Sequence, residues 1–334
     1  MKEASYYKKL DKNLTQCQLC PQFCCIKPGN FGDCKVRKNE KGVLYSMVYG
    51  KPCSINIDPI EKKPLYHFLP GEAAFSIGTT GCNLHCLFCQ NWSTSQANTE
   101  DAQTMDLSPE EAVVLAISKN CKVIAYTYNE PVIFFEYVLD TAKLARKKGL
   151  KNVLVSNGYI NPEPLKELCK YIDAANIDLK SFNPEFYKKY CFGELKPVLE
   201  TLKLLKKKKV WIEITNLIIP ELNDDLKEIE EMCKWIAKEL GKDVPLHFSR
   251  FHPCYKMQDK APTPVETLHK IRDIAKQHLN YVYIGNVLEK GETYCPECGQ
   301  LLVERTLYLE NNYLKNGECK CGKKIAGVWE IGKK

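Results

Sequence analysis

Short apolar segments alternate with longer amphipathic segments from residue 72 to residue 287, and this order constrains the fold more than any other feature. The apolar segments are typical of buried strands, and the segments between them have the periodicity of helices. Strands that are joined by helices are parallel, because each helix returns the chain to the same edge of the sheet. The predicted strands are 73–78, 122–128, 151–156, 174–179, 210–218, 244–251 and 281–287. The predicted helices are 108–120, 132–148, 162–171, 224–240 and 264–278, with two more within 184–208.

A Rossmann sheet and an α/β barrel can both be built from this alternation. No G-x-G-x-x-G follows the first strand, as a dinucleotide-binding Rossmann sheet requires. Polar residues instead follow nearly every strand, and an α/β barrel builds its site at that end. We therefore predict an α/β fold with a partial (β/α)6 barrel at 72–290. A Cys-rich metal-binding region and strap (1–71) and a zinc-ribbon-like domain (291–334) are expected to flank it.

The chain has 18 cysteines in 334 residues, which is far more than an ordinary cytosolic enzyme carries. A disulfide scaffold would be short and secreted, and this chain has neither property. The spacing of the cysteines favours metal binding instead, because eleven of them fall into three short-spaced groups. These groups are Cys17, Cys20, Cys24 and Cys34; Cys82, Cys86 and Cys89; and Cys295, Cys298, Cys319 and Cys321.

The central group has the spacing C-x3-C-x2-C and directly follows the first predicted strand. Three thiolates bind three irons of a cubane [4Fe–4S] cluster, whereas the usual ferredoxin sites use four cysteines. The fourth iron is then open to a ligand that can chelate it. A structural zinc site is the alternative, and it would need His85 as its fourth ligand.

This loop, with the aromatic Phe88 just before its last cysteine, resembles the hallmark of the radical S-adenosylmethionine (SAM) superfamily. The resemblance implies that the amino and carboxylate groups of SAM chelate the open iron. It also implies reductive cleavage of SAM to methionine and a 5′-deoxyadenosyl radical, which abstracts a hydrogen atom from a substrate. By the same resemblance, Cys82, Cys86 and Cys89 are the catalytic cluster ligands and Phe88 lies near the adenine.

The segments that follow the later strands resemble those of glycyl-radical activating enzymes. Residues 156–158 (Ser-Asn-Gly) are similar to a Thr-Asn-Gly segment, and residues 178–180 match an Asp-Leu-Lys segment. The resemblance assigns Asp178 to the ribose hydroxyls and Lys180 to the SAM carboxylate, and these pairings are chemically sound. The implied cofactor-binding residues are Phe88, Asn129, Glu130, Asn157, Asp178, Lys180 and His252. His247, on the preceding strand, is predicted to be a core histidine.

The outer cysteine groups are also predicted to bind metal. The C-terminal group, Cys295, Cys298, Cys319 and Cys321, has the two short knuckles of a zinc ribbon, and rubredoxin-like iron is the alternative. The N-terminal group, Cys17, Cys20, Cys24 and Cys34, is expected to hold either zinc or a second iron–sulfur cluster. Cys25 is a possible substitute for Cys24 as a ligand.

Three motifs together resemble the radical SAM proteins of the AmmeMemoRadiSam system, which are relatives of the pyruvate formate-lyase activating enzyme. The motifs are Cys17-x2-Cys-Pro with Gly-Asp-Cys-Lys-Val-Arg at 32–37, the segment 58–71, and Gly81-Cys-Asn through Phe-Cys-Gln-Asn at 88–91. Gln22 stands where that family usually has histidine. The resemblance implies Memo-type and AMMECR-type companion proteins, and a reductant such as flavodoxin or ferredoxin.

The segment from Asp58 to Gly71, which we call the strap, is predicted to be extended because it contains Pro59, Pro64 and Pro70. One interpretation is a strap that closes the barrel, with its charged residues in solvent. The other places some of them over the mouth of the barrel, near substrate.

Two other functions compete with the leading interpretation. One is activation of a glycyl-radical enzyme, and the other is nucleic-acid binding through the zinc ribbon. The net charge of +7 is dispersed along the chain, which argues against nucleic acid as a partner. No apolar stretch approaches the roughly 20 residues of a membrane span, and residues 1–10 are too polar for a signal peptide. The expected location is the cytoplasm.

Overall fold

The computed structural model describes residues 1–306 and 308–330. The strands in these residues are β1 (Lys2–Glu3), β2 (Tyr7–Lys9), β3 (Thr15–Cys17), β4 (Cys25–Ile26), β5 (Arg37–Glu40), β6 (Val43–Ser46), β7 (Ser54–Pro59), β8 (Ala73–Gly78), β9 (Val123–Tyr126), β10 (Lys151–Ser156), β11 (Ala174–Asp178), β12 (Trp211–Ile218), β13 (Leu246–Arg250), β14 (Val282–Gly285), β15 (Thr293–Tyr294), β16 (Leu301–Arg305) and β17 (Leu309–Asn312).

The α-helices are α1 (Trp92–Ser95), α2 (Pro109–Ser118), α3 (Phe135–Lys147), α4 (Pro162–Leu168), α5 (Pro184–Phe186), α6 (Leu195–Lys207), α7 (Leu226–Glu239) and α8 (Val265–Ala275). A π-helical turn, Tyr187–Cys191, follows α5 directly. None of these helices combines the length and the apolar character that a membrane crossing requires.

An eight-stranded sheet forms the centre of the molecule, with β7 to β14 side by side in chain order. The strands from β8 to β14 are parallel, and β7 pairs antiparallel with β8. Helices connect the successive parallel strands, so the predicted α/β alternation is confirmed. Each predicted strand overlaps an observed one, and the observed strands are mostly shorter at their ends. The carboxyl ends of all seven parallel strands therefore lie along one edge.

Alternate residues of the strands point to opposite faces of the sheet, and both faces carry apolar side chains. Phe75, Ile77, Ile124 and Tyr126 belong to the large core that includes the helices. Ala74, Val123 and Ala125, which alternate with them, belong to a second core that includes strap residues. We call this second side the inner face.

The start of α2 shows how local sequence fixes a helix boundary. Ser108 Oγ accepts a hydrogen bond from the Glu111 N–H (3.2 Å), and the Glu111 carboxylate accepts one from the Ser108 N–H (2.8 Å). Pro109 occupies the first helical position, where no N–H is needed. This capping box is the start that the sequence predicts.

The strap lies at the amino ends of the parallel strands, and its charged side chains are buried except that of Lys62, which is exposed. Asp58 pairs in register with Ala74 near the start of β8, and its carboxylate lies 2.6 Å from the ammonium of Lys63. Asp58, Glu61, Lys63 and His67 are all buried. The strap closes one end of the sheet, as the first interpretation expected, but the expectation of charged residues in solvent is wrong for these four residues. That some strap residues lie near substrate stays a prediction.

Glu213, the third residue of β12, joins the strap to the sheet. Its carboxylate accepts hydrogen bonds from the backbone N–H groups of Tyr66 (2.9 Å) and His67 (2.7 Å). It also lies 2.7 Å from His247 Nε2 and 3.1 Å from Trp211 Nε1. Burial alone would raise the pKa of Glu213, but the hydrogen bond from His247 and the neighbouring imidazoles lower it overall.

The C-terminal segment packs against the same end of the sheet. Arg305 is fully buried and donates to the carbonyl oxygens of Tyr66 (2.7 Å) and Gly291 (3.1 Å). Val328 exchanges backbone hydrogen bonds with His67 (2.7 Å) and Leu69 (2.6 Å). The strap and the C-terminal segment thus form one packed layer at the amino ends of the parallel strands. We call this layer the floor.

Replacement of Glu213 by alanine is expected to lower the free energy of unfolding by about 3–5 kcal/mol, because it leaves four buried donors without their shared acceptor. Chemical denaturation of the purified protein measures this loss. The matched control is Glu200→Ala, which removes one exposed pair with Lys203 and should cost less than about 1 kcal/mol. Equal stability of the two variants would contradict the role of Glu213.

Candidate metal and cofactor site

A cavity of about 190 Å³ opens at the carboxyl ends of the parallel strands. Its lining comes from the ends of β9, β10, β11, β12 and β13 and from the loop after β8. It brings together nine of the ten residues that the sequence assigned to the cluster and SAM: Cys82, Cys86, Phe88, Cys89, Asn129, Glu130, Asn157, Asp178 and Lys180. His252 is not part of this lining, and its side chain is exposed.

The cysteine loop is held in place from two sides. Gly81, just before it, has φ +91°, and a Cβ there would lie 2.5 Å from the Cys34 carbonyl oxygen, so only glycine fits. Asn129 Nδ2 donates to the Gly81 carbonyl (2.7 Å). On the other side, the N–H groups of His85 and Leu87 donate to carbonyl oxygens of the π-helical turn. The loop is therefore shaped by the surrounding chain.

The three thiols of the loop are buried or half-buried and receive polar contacts. Leu84 N–H lies 3.4 Å from Cys82 Sγ, and the Ser95 hydroxyl lies 3.2 Å from Cys89 Sγ. Burial raises the pKa of both thiols, whereas contact with Cys191 lowers the pKa of Cys86. A bound cation would reverse the effect of burial, because a coordinated thiol is deprotonated.

His85 does not complete a zinc site with these cysteines. Its Nδ1 lies 2.6 Å from Gln96 Oε1, and its Nε2 lies 2.8 Å from Asp33 Oδ2. Both ring nitrogens are therefore engaged elsewhere. A tetrahedral zinc site, with Zn–S near 2.3 Å, also needs sulfurs about 3.8 Å apart. The loop cysteines are not among the described residues that gather three ligand atoms within 4.8 Å of one another. This wider spacing fits a cluster with several irons.

Glu130 braces the turn after β9 against the turn after β10. Its carboxylate accepts hydrogen bonds from Val132 N–H (3.0 Å), Ser156 Oγ (2.7 Å) and Asn157 N–H (2.7 Å). Complete burial raises its pKa to about 7, although these hydrogen bonds oppose the rise. Asn157 in turn donates to Asn83 Oδ1 (2.9 Å) beside the first cysteine. Glu130 thus positions Asn157 against the loop.

Asp178 and Lys180 form an ion pair in the wall of the same cavity. Lys180 Nζ lies 3.0 Å from Asp178 Oδ2, and the Asp178 side chain is 38% exposed. Burial would lower the pKa of Lys180, but the Asp178 carboxylate and the nearby thiols of Cys86 and Cys191 raise it well above its usual value. Lys180 Nζ also lies 5.9 Å from the ring centroid of Phe88. A ligand with a carboxylate and a diol can bind the two groups of this pair.

Sequence reasoning missed several residues of the cavity wall. Thr215 and Leu217 on β12, and Ser249 on β13, contribute to the lining. Thr215 and Leu217 are two residues apart and therefore face the same side of the strand. The alternation of β12 could have identified them, because Glu213 and Thr215 share the inner face. Ser249 lies two residues after His247 on β13, so these two side chains also face the same side of the sheet.

The C-terminal cysteines converge on one point. The sulfur atoms of Cys295, Cys298, Cys319 and Cys321 all lie within 4.8 Å of one another. Two of the separations are 3.7 Å (Cys295 to Cys321) and 3.6 Å (Cys298 to Cys319), close to the edge of a tetrahedral thiolate site. The short C-x-C knuckle does not prevent this geometry, so the group could bind a metal ion.

Comparison with known proteins agrees with this geometry. Residues 76–236 match the Radical SAM superfamily. An uncharacterized protein of Methanocaldococcus jannaschii is 49% identical over 97% of this chain and 99% of its own length. The pyruvate formate-lyase 1-activating enzyme of Escherichia coli is 23% identical over 59% of this chain and 86% of its own.

The fold has a counterpart among solved structures. A radical SAM methyltransferase from Sphaerobacter thermophilus superposes with a TM-score of 0.52 at 14% identity, covering 70% of this chain and 71% of the methyltransferase. The superfamily implies a [4Fe–4S] cluster and SAM as cofactors, and the donor set of the cavity fits both. This chain is therefore an enzyme of the radical SAM superfamily, related to the pyruvate formate-lyase activating enzymes.

Proposed function

We propose that Cys82, Cys86 and Cys89 hold the [4Fe–4S] cluster at which this enzyme cleaves SAM reductively. The observation that carries the proposal is one cavity at the strand ends that is lined both by the three thiols and by the Asp178–Lys180 pair. The cluster, when bound, supplies the electron that breaks the sulfonium bond, and the resulting 5′-deoxyadenosyl radical abstracts hydrogen from a substrate.

The side chains of the cavity take different parts in binding. Lys180 provides a cation for the SAM carboxylate, and Asp178 provides an acceptor for the ribose hydroxyls. Phe88, whose ring is buried beside Lys180, provides an apolar surface for the adenine. Glu130 and Asn157 act indirectly, because their hydrogen bonds hold the turns that border the cysteine loop. His252 is left out of these roles because it is exposed.

We assign the enzyme to the AmmeMemoRadiSam branch, with Memo-type and AMMECR-type proteins as companions. This assignment is supported by the motifs at 17–37 and 58–71, which build the N-terminal region and the floor. Activation of a glycyl-radical enzyme is the second candidate, supported by the similarity to the E. coli activating enzyme. An organic radical after incubation of a glycyl-radical enzyme with the reduced protein and SAM would favour the second candidate.

We also propose that the four C-terminal cysteines bind one zinc ion. Their sulfur separations fit a tetrahedral site, and all four positions would be taken by the protein. Arg305 and Val328 attach this segment to the strap, at the end of the strands opposite the cavity. The zinc ion would therefore have a structural role, at a distance from the SAM cavity.

Simultaneous replacement of Cys82, Cys86 and Cys89 by alanine is expected to abolish SAM cleavage, because three irons lose their ligands. Chromatographic measurement of 5′-deoxyadenosine under strong anaerobic reduction tests this. The control replaces Cys53, Cys121 and Cys169, which lie outside the three groups, and should retain cleavage. Undiminished cleavage in the loop variant would refute the assignment, whereas residual iron alone would not.

Asp178→Ala and Lys180→Ala are each expected to weaken SAM binding about tenfold or more. A lost charge-assisted hydrogen bond costs about 1.5–3 kcal/mol, and 1.4 kcal/mol corresponds to a factor of ten. Anaerobic equilibrium dialysis measures the affinity, and visible absorption checks that the cluster is retained. Lys203→Ala, which alters only a surface pair, is the control. If SAM binds both cavity variants as tightly as it binds the control, the assigned roles are wrong.

Cys298→Ser with Cys321→Ser is expected to remove one zinc ion per chain and to lower the thermal unfolding midpoint, because the short segment has little core of its own. Elemental analysis before and after the substitutions measures the metal. Cys25→Ser, at another exposed cysteine, should leave the zinc content unchanged. Iron without sulfide at this site would indicate a rubredoxin-like centre in place of zinc.

A further inference from the structure

The N-terminal cysteines line a second cavity that is separate from the SAM cavity. Cys17, Cys20 and Cys34 are buried, Cys24 is half-buried, and all four contribute to its wall. Cys25 is exposed and is not part of the wall. The choice between Cys24 and Cys25, which the sequence left open, therefore falls on Cys24. Four thiols from β3 and from the turns before β4 and β5 thus converge on one space.

A backbone N–H group points at one of these sulfurs. Asp33 N–H lies 3.5 Å from Cys24 Sγ. Such a donor stabilises the negative charge of a thiolate. The loop that holds Cys82 makes the same kind of contact through Leu84 N–H. Cys24 therefore shares this contact with a cluster ligand of the SAM cavity.

Arg37 provides an independent sign that this cavity suits a negatively charged group. Its side chain lines the same cavity and is only 1% exposed. Nη2 donates hydrogen bonds to Glu136 Oε1 (2.8 Å) and to the Ser5 carbonyl (2.8 Å), but Nε and Nη1 have no hydrogen-bond partner among residues 1–306 and 308–330. Two buried donors on a guanidinium are costly to leave unpaired. A thiolate-bound metal centre carries the negative charge and the sulfur acceptors that would satisfy them.

The spacing of the thiols distinguishes a cluster from a single ion. One zinc ion, with Zn–S near 2.3 Å, holds its sulfurs about 3.8 Å apart. Of the cysteine groups within residues 1–306 and 308–330, only the C-terminal one gathers three or more sulfurs within 4.8 Å. The N-terminal thiols surround their cavity at wider spacing, as the loop thiols do. Four cysteines are also the usual ligand set of an iron–sulfur cluster.

We propose that Cys17, Cys20, Cys24 and Cys34 bind a second iron–sulfur cluster, with Arg37 donating hydrogen bonds to its sulfurs. The site adjoins the SAM-binding loop. A Cβ at Gly81 would lie 2.6 Å from Val36 Cγ1, and Gln22 Nε2 donates to the Asn83 carbonyl at 3.1 Å. Gln22, at the position where the resembled family usually has histidine, therefore lies between the two cysteine sets.

The test uses the full chain with Cys82, Cys86 and Cys89 replaced by alanine, reconstituted anaerobically with iron and sulfide. The variant is expected to retain about two to four irons per chain, with matching sulfide and visible absorption. Additional replacement of Cys17, Cys20, Cys24 and Cys34 by serine should remove both iron and sulfide. Cys25→Ser in the loop variant is the matched control and should retain them.

Three results would overturn the proposal: a loop variant without iron and sulfide, zinc in their place, or a cluster that survives loss of the four N-terminal cysteines. Counting sulfide excludes rubredoxin-like iron at the C-terminal knuckles. If the serine variant does not fold, the wild-type protein provides the measurement, since two clusters require more than about four irons and four sulfides per chain. The result does not depend on SAM cleavage, so the two proposals can fail separately.

Discussion

The arrangement of the sheet depends on one buried carboxylate, that of Glu213. It accepts hydrogen bonds from the strap backbone at Tyr66 and His67 and from the side chains of Trp211 and His247. An isolated buried charge would be prohibitively costly, whereas a carboxylate with four donors is well satisfied. Because the strap is tied to Glu213, it also presents the Tyr66 carbonyl to Arg305 and the His67 backbone to Val328. The floor is therefore built outward from this residue, and it closes the amino ends of the strands.

A second buried carboxylate, Glu130, organises the opposite end of the sheet. It differs from Glu213 in its partners, which are two backbone N–H groups and a hydroxyl, without a cationic side chain among its hydrogen bonds. Burial accordingly raises the pKa of Glu130, whereas the imidazoles lower that of Glu213. The two ends of a parallel sheet are not equivalent, so a different carboxylate organises each end. One end is sealed by the floor, and the other remains open for the cavity, where Asp178 keeps a partly exposed carboxylate.

The sequence predicted the α/β alternation well because each strand is a short apolar run, and β10 matches its predicted limits of 151–156. It also grouped nine residues that prove to line one cavity, because strand ends of a parallel sheet share an edge. It failed where burial depends on distant partners. Glu213 lies 146 residues from His67, so no local pattern could show that the strap is buried. His252, which the resemblance assigned to SAM, is exposed on the chain after β13 and lies outside the cavity lining, so its role stays a prediction. The cavity-lining residues of β12 and β13 were not predicted, although the alternation of side chains along these strands could have identified them.

The three cysteine groups differ in how closely their sulfurs gather, since among the described residues only the C-terminal group brings three or more within 4.8 Å of one another. The C-terminal sulfurs are close enough to share one ion. The loop supplies only three thiols, so a cubane there retains one iron that SAM can chelate. The N-terminal site supplies four, and a cluster there would have no open iron of that kind. Cys34 and Gly81 nevertheless pack so closely that a Cβ at Gly81 would lie 2.5 Å from the Cys34 carbonyl oxygen. With the proposed assignments, eleven of the 18 cysteines are metal ligands, which accounts for most of the unusual cysteine count.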